Sequence, residues 1–417
     1  MSSHLKKIKT QPHNLKHYQN LTPEIVEECF LLSQKIKGLK VLHINSTESG
    51  GGVAEMLKTQ IPLEKSLGID SQWWVIRAPE KFFKVTKKIH NLLQGKSEKL
   101  SQSEKNIYLN WLSDRIGADL QNLIRQEKPQ IIIIHDPQPL PLIDFIPLNI
   151  FSILRIHLDL STPNKSTLDF LRPWMEKYQL GIFTHPAYRP KWWPIKKSKF
   201  ITPAIDPFTD KNKLMSLPQA RKIINSFQIN TNQPIISQIS RFDPWKDQFS
   251  TIKSYYLAKN KIPSLNLILT GFCHINDDPE AKRIFEKIKK ETINNPHIFL
   301  ISDPDDLSIN AIYTASQIII QKSIREGFGM VITEAMWKRK PVIGGKTLGI
   351  KMQIENGKNG FLVSDAQEIA EKVILLLKNP SLQKKIGQAA RQTVKEKFLF
   401  SKLILNHLKI YTALPPT

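Results

Sequence analysis

SIREGFGMVITEAMWKRKPVIGG, residues 323–345, is the stretch from which the fold is read. The run ahead of it, QIIIQKS (317–323), is short, apolar and β-branched, as a buried strand is. REGFG is a turn, a helix starts near Phe328, and PVIGG (341–345) is the next strand. Strand, turn, helix and strand make one unit of an α/β fold with a parallel sheet. Glu326 then lies in a loop at the carboxyl end of a strand. Glu334 follows after seven residues and lies two turns into the helix. Gly327 and Gly329 let the backbone come close to a ligand, and N–H groups at a helix N-terminus favour anions and hydroxyls. A loop carboxylate can accept two sugar hydroxyls, and one on the helix can hold a ribose diol. The plainer alternative is Glu334 as a solvated helix residue and Glu326 as a charge stabilising the helix dipole; the whole string favours a ligand site.

The same alternation runs outward in both directions. In the first half, strands are expected at 38–45, 70–76, 130–136, 151–158 and 180–186, with helices near 53–67, 80–95, 101–127 and 166–178. In the second half, strands are expected at 234–240, 265–271, 297–302, 317–323, 341–345 and 360–365. Helices fall between them, near 216–227, 247–259, 279–293, 305–315, 328–339, 366–378 and 381–397. The pattern restarts once, across KFITPAIDPFTDKNK (199–213), which is rich in Pro and Asp and reads as a linker. Two Rossmann-like, doubly wound domains are therefore expected, 1–205 and 206–398, facing a cleft at the carboxyl ends of their strands. The amphipathic tail, 399–417, can cross back to the first domain.

Three further constellations sit at expected strand ends. SQISRFDPWKD (237–247) places Arg241 and Lys246 in one short loop, a fork and a point charge suited to a diphosphate. Fixed cations there would stabilise a departing diphosphate without a metal; two surface cations are the plainer reading. HINSTESGGGVAEMLKTQ (43–60) runs from a strand through Gly50, Gly51 and Gly52 into a helix near Val53. N–H groups at such a junction can bind phosphate or sugar oxygens, although a flexible turn explains the glycines equally well. The pattern is not G-x-G-x-x-G, so no nicotinamide site is read. The strand ends IIIIHDPQPLPL (131–142) and LRIHLDLS (154–161) carry His135, Asp136, Gln138, Arg155, His157 and Asp159. His157 could meet a sugar hydroxyl or a leaving group; a structural histidine and a capping aspartate remain open.

Composition bounds the remaining classes. The chain has 417 residues, 41% apolar and 23% charged, which suits two globular domains. No run of about 18 apolar residues suggests a membrane span, and the polar start lacks a signal-peptide core, so a cytoplasmic location is expected. Cys29 and Cys273 offer neither a disulfide framework nor zinc spacing, and no metal site is expected. The net charge of +23 comes from lysines spread along the chain. It would attract nucleic acid, a membrane surface or an anionic substrate, and does not choose among them. No nucleic-acid-binding motif accompanies it, so no specific nucleic acid partner is expected.

The glutamate, Gly-aromatic-Gly turn and second glutamate resemble the signature of family 4 retaining glycosyltransferases of the GT-B fold. More narrowly, GGGVAEML, HDPQPLPL, RIHLDLS, the PAID of ITPAIDP, SRFDPWKD and QKSIREGFGMVITEAMWK resemble trehalose glycosyltransferring synthases and the related trehalose phosphorylases. The matches run in order from about residue 40 to residue 365. The resemblance implies that Glu326 holds the donor glucose hydroxyls with the backbone of Gly327, Phe328 and Gly329, and that Glu334 holds the ribose. It implies that Arg241 and Lys246 hold the diphosphate, that Gly51 and Gly52 approach the donor phosphate, that His157 lies near the donor sugar and that Asp136 contacts the acceptor. Gly349 and Ile350 would complete the donor site.

One departure follows PVIGG. The family usually has Gly-Gly-Ile in the stretch that is here KTLGIKMQI, so Leu348 stands where the first of those glycines is usual. This puts donor identity in question. The activity implied is transfer of glucose from a nucleoside-diphosphate glucose to free glucose, giving trehalose with retention and without a metal or other cofactor. The partners implied are a nucleotide sugar and glucose, with a homodimer left open. Rival readings are a trehalose phosphorylase using glucose 1-phosphate, a transferase with another acceptor, and a catalytically inactive sugar-nucleotide sensor.

Overall fold

The computed structural model describes residues 4–49, 51–271 and 279–414. The strand expected at 265–271 is described to its end, whereas Gly50 and Cys273 lie outside the described residues. The chain divides into two compact units, residues up to 203 together with those from 400 onward, and residues 204–399.

The first unit opens with β1 (Leu5–Ile8) and α1 (Pro23–Gln34), then β2 (Lys40–Asn45), α2 (Gly52–Ser66), β3 (Asp70–Ile76), α3 (Glu80–Leu93), α4 (Gln102–Trp111) and α5 (Gly117–Glu127). It continues through β4 (Ile131–His135), β5 (Phe151–Ile156), α6 (Lys165–Met175), β6 (Leu180–Phe183) and β7 (Ser198–Phe200). The sheet order is β1-β3-β2-β4-β5-β6-β7. Every residue of β4, IIIIH, is buried, as a strand covered on both faces by helices requires. The parallel sheet expected from the sequence carries one exception: β1 pairs antiparallel with β3, Leu5 opposite Ile76. LKKI offers one buried apolar residue at an edge, a pattern too short to read as a strand. The helix expected over 101–127 is interrupted by a π-helical turn, Leu112–Ile116.

The second unit runs α7 (Leu217–Ser226), β8 (Ile235–Ile239), α8 (Gln248–Lys259), β9 (Asn266–Gly271), α9 (Pro279–Thr292), β10 (Ile298–Ser302), α10 (Asp306–Ala315) and β11 (Ile318–Gln321). It closes with α11 (Met330–Trp337), β12 (Val342–Gly345), α12 (Leu348–Lys351), β13 (Phe361–Val363), α13 (Ala366–Lys378) and α14 (Pro380–Lys397). The last helix, α15 (Phe400–Tyr411), belongs to the first unit, where it packs on α1 and α2. The second sheet is parallel throughout, in the order β10-β9-β8-β11-β12-β13. The strand order reverses between β8 and β11. In doubly wound sheets the helices that follow the two strands at such a switch point leave toward opposite faces, and ligands bind in the crevice at those strand ends.

The expected linker does not behave as one featureless segment. Its start forms β7, and Ile205 pairs in parallel with Leu399 inside the second unit. A glycine fixes how closely β8 and β9 pair at their carboxyl ends. A Cβ on Gly271 would stand 1.7 Å from the Ser240 carbonyl oxygen, a backbone atom that cannot step aside. Gly271→Ala is therefore expected to cost about 1–3 kcal/mol, the usual penalty for overpacking. A lower urea midpoint relative to wild type is the measurement that checks this.

Candidate functional site

Two loops meet at the switch point of the second sheet. After β8, Ser240 N–H donates to the Thr270 carbonyl (2.9 Å) and the chain turns through Arg241 to Lys246. Asp243 caps that turn by accepting from Trp245 N–H (2.8 Å), and its carboxylate also pairs with the half-exposed Arg241 guanidinium (3.0 Å). Gln238 donates to the Lys246 carbonyl (2.7 Å), fixing the end of the turn. The loop after β11 is tied to it by Ile324 N–H, which donates to the Trp245 carbonyl (2.7 Å). Across this junction the Lys246 ammonium meets the Glu326 carboxylate at 2.5 Å, and Ser323 donates to the same oxygen (3.1 Å). Lys322 and Asp247 form a second pair alongside, at 2.8 Å.

The turn Glu326–Gly329 is held by its backbone. Gly329 has φ +86°, the left-handed region, and caps α11. A Cβ on Gly349 would lie 2.6 Å from the Glu326 carbonyl oxygen and 2.7 Å from Phe328 N, so α12 approaches the turn as closely as backbone allows. Gln353 donates to the carbonyls of Phe328 (2.6 Å), Gly349 (3.2 Å) and Gly329 (3.3 Å), and accepts from Thr333 at 2.5 Å. Sequence reasoning missed this glutamine. Its one signal was a polar residue between Met352 and Ile354. The Phe328 ring is buried against Phe398, with centroids 5.5 Å apart, and Ile350 is fully buried. Both side chains serve the core, so only their backbone groups remain for a ligand.

Glu334 differs from the sequence expectation in place and in environment. The helix begins at Met330, two residues late, so Glu334 opens its second turn. Its side chain is 3% exposed, which excludes the solvated-helix reading. Tyr313 O–H donates to one carboxylate oxygen (2.7 Å) and Lys211 pairs with the other (2.8 Å). Lys211 lies in the stretch expected to be linker, and its spacing gave no hint of this contact. Nearby, burial and then Arg391 push the Lys338 ammonium down to about 7.

The first unit has its own switch point, between β2 and β4. Exposed Gly51 and Gly52 start α2 there. Asp136 ends β4 in a left-handed conformation, φ +62°. It accepts from His157 N–H at 2.8 Å while its own N–H donates to the Arg155 carbonyl at 2.9 Å. Asp136 thus braces the ends of β4 and β5. Burial raises its carboxyl to about 7, against the lowering effects of the His157 N–H and Arg155. Arg155 donates to the Ile201 carbonyl (2.6 Å) and burial lowers it to about 9. His157 stacks on His135, with Nε2 to Nδ1 at 3.0 Å. Gln138 is half-buried, and Asp159 caps its own turn by accepting from Ser161 N–H (2.8 Å). The structure brings together Arg241, Lys246, Glu326, Gly327, Phe328, Gly329, Gly349 and Ile350 in one unit, and Asp136 with His157 in the other.

Comparison with known proteins bears on the family and the fold. A family profile described as trehalose synthase, N-terminal domain, matches residues 43–190, and one described as glycosyl transferases group 1 matches residues 219–393. A trehalose synthase from Pyrococcus horikoshii is 39% identical over 419 residues, covering 99% of this chain and 100% of that protein. A trehalose phosphorylase from Pleurotus pulmonarius is 27% identical, over 86% of this chain and 55% of that one. The solved structure of Anabaena Alr3699/HepE in complex with UDP and glucose has a TM-score of 0.68 to this chain at 18% identity, covering 90% of this chain and 100% of that one. That likeness shows the fold, two α/β units of the GT-B glycosyltransferase class. No helix among the described residues is long and apolar enough to cross a membrane.

Two outcomes follow from the packing. Gly349→Ala must displace the turn that carries Glu326, and turnover is expected to fall about a hundredfold, the scale of a 1 Å misplacement, with circular dichroism unchanged. Asp136 has a raised pKa, so its contribution to stability declines as pH rises from 3.8, the ordinary value, to about 7. Asp136→Asn lacks that decline. Urea unfolding should show the variant gaining on wild type as pH rises through this window.

Proposed function

We infer that this chain, which belongs to the trehalose synthase family, moves a glucosyl unit from a nucleoside-diphosphate glucose to free glucose, forming trehalose with retention at the anomeric carbon. The observation that carries the reading is the 2.5 Å contact of Lys246 with Glu326 at the β8/β11 switch point. A cation and a carboxylate held there, beside a glycine turn, match the two halves of a sugar nucleotide. Donor binding would draw Lys246 to the diphosphate and leave the Glu326 carboxylate to accept sugar hydroxyls. The arriving phosphates would replace the carboxylate as the partner of the lysine.

Cleavage of the glycosidic bond leaves extra negative charge on the departing diphosphate. Lys246, as a point charge, and Arg241, as a fork, would stabilise that charge as it develops, which supports a metal-independent reaction. Same-face attack assisted by the departing phosphate then retains configuration without the second catalytic carboxylate of the hydrolases. Glu334 is read as the ribose contact. It already accepts from Tyr313 and Lys211, so ribose hydroxyls would replace one of those donors. Gly51, Gly52 and His157 are read as phosphate- and sugar-facing groups of the first unit, and Asp136 as holding His157 in place beside an acceptor role. Leu348, the first residue of α12, is half-buried next to Gly349, where it can narrow the choice of donor.

The test is an assay of chelator-treated protein with glucose and UDP-, ADP- or GDP-glucose, or glucose 1-phosphate, with products identified by NMR. A new α,α-1,1 disaccharide from a nucleotide donor supports the reading and names the base. Product from glucose 1-phosphate alone moves the chain to the phosphorylases, and no disaccharide from any donor rejects trehalose synthesis. Glu326→Gln should lower kcat about 10²–10³-fold, as loss of a transition-state contact does. Lys246→Ala should weaken nucleoside-diphosphate binding about tenfold or more by calorimetry, consistent with loss of one charge-assisted contact. Leu348→Gly should change the ranking of donors.

A further inference from the structure

Four ionisable side chains lie in one row inside the first unit. His43 on β2, His135 at the end of β4 and His157 just beyond β5 come from strands that neighbour one another in the sheet. Their rings are near-parallel, with centroids 5.3 and 5.4 Å apart. His43 Nδ1 meets His135 Nε2 at 3.1 Å, and His135 Nδ1 meets His157 Nε2 at 3.0 Å. At the inner end, His43 Nε2 faces the Glu64 carboxylate of α2 at 3.3 Å. Glu64 is fully buried and also accepts from Gln60 (2.8 Å), Tyr411 O–H (3.2 Å) and Ser71 O–H. At the outer end, His157 Nδ1 is buried and has no hydrogen-bond partner among the described residues.

Such a row has a direction. An ionised Glu64 accepts only, so His43 must present Nε2–H to it. His43 Nδ1 is then an acceptor and takes Nε2–H of His135, and His135 Nδ1 takes Nε2–H of His157. The free Nδ1 of His157 is left as an acceptor. We propose that the row Glu64–His43–His135–His157 is a proton relay that sets whether His157 Nδ1 accepts from or donates to a substrate hydroxyl. A proton entering at Nδ1 pushes the His157 Nε2 proton to His135 Nδ1, and the His135 Nε2 proton to His43 Nδ1. His43 keeps Nε2–H and becomes the cation of an ion pair with Glu64. No heavy-atom bond changes, and the buried row goes from one net negative charge to neutrality. His157 Nδ1 has become a donor.

The surroundings favour the charge at the inner end. Burial works against the Glu64 carboxylate, yet His43, with a hydrogen bond from Ser71, holds it down at about 2. Burial, with Arg155 and the neighbouring histidines, keeps both His135 and His157 well below the usual histidine range, so neither retains the proton. The other groups facing the row are Arg155 on β5, Asp136 at the end of β4, and His407 and Tyr411 on α15. His407 is pushed to about 3 by burial and stays neutral. On this basis Glu64, His43 and His135 are positioning residues that act through His157. Their relevance to turnover rests on the glucosyl-transfer reading; the relay itself does not.

The experiment is ¹⁵N NMR of histidine-labelled full-length protein, titrated without substrate. In wild type, Nδ1–H should appear on His157 at the same midpoint at which His43 becomes cationic, with His135 swapping tautomer and staying neutral. Glu64→Gln should move that midpoint down by about one pH unit or more, since the proton would then create an unpaired buried charge. The pH profile of kcat should move the same way. His135→Phe should uncouple the two ends, and it keeps the test open if the Glu64→Gln variant does not fold. Independent titration of His157 and His43 in wild type, or an unchanged midpoint in Glu64→Gln, overturns the relay. A linked titration in a protein that makes no disaccharide would reject only the transferase reading.

Discussion

The reversal of strand order between β8 and β11 is the constraint on which the candidate site depends. Neighbouring parallel strands end on the same side of the sheet, but at this one position their following helices leave toward opposite faces. Two loops can therefore converge without a helix between them. The Ile324 to Trp245 hydrogen bond closes them on each other, and Lys246 reaches Glu326 across the junction. Everything else nearby keeps that turn in place: the left-handed Gly329, the close passage of Gly349, and three carbonyls taken up by Gln353.

The charges of the molecule are organised on two scales. Over the whole chain the balance is +23, spread along its length, and it acts as a general field that draws anions. At the site, the side chains that would meet a substrate are already paired: Lys246 with Glu326, Lys211 with Glu334, Arg241 with Asp243. A buried ion left alone is costly, so a site awaiting a charged ligand is more stable when its own groups neutralise one another. The ligand then competes with internal partners. On the proposed function, selectivity would come from offering phosphate and hydroxyls together, at a spacing that releases each pair into a new one.

Much of this was legible in the chain because the signals are local. Continuous Ile and Val runs mark strands buried on both faces, and glycine next to a strand end marks a turn with close backbone approach. Glu326, Arg241 and Lys246 stood out because each lies within a few residues of such a boundary. What stayed hidden had no local period. β1 has four residues at a sheet edge, and α1 precedes the first long strand without a motif to anchor it. The helix carrying Glu334 starts later than its apolar pattern suggests because Gly329 turns the backbone left-handed before the first helical residue.

Sequence alone determined that the chain forms two α/β halves, and that Glu326, Arg241 and Lys246 occupy strand-end loops of the second. These follow from periodicity and residue type, which act over a few neighbouring positions. Tertiary structure alone decided who meets whom. Lys211 reaches Glu334 across more than one hundred residues, Gln353 serves a turn formed before it, and Tyr411 near the end of the chain donates to Glu64 near its start. The row of His43, His135 and His157 exists only because β2, β4 and β5 pair side by side. Strand order is set by long-range packing of helices on a twisted sheet. A histidine therefore becomes part of a relay, or remains a lone core residue, according to neighbours that its own stretch of sequence does not contain.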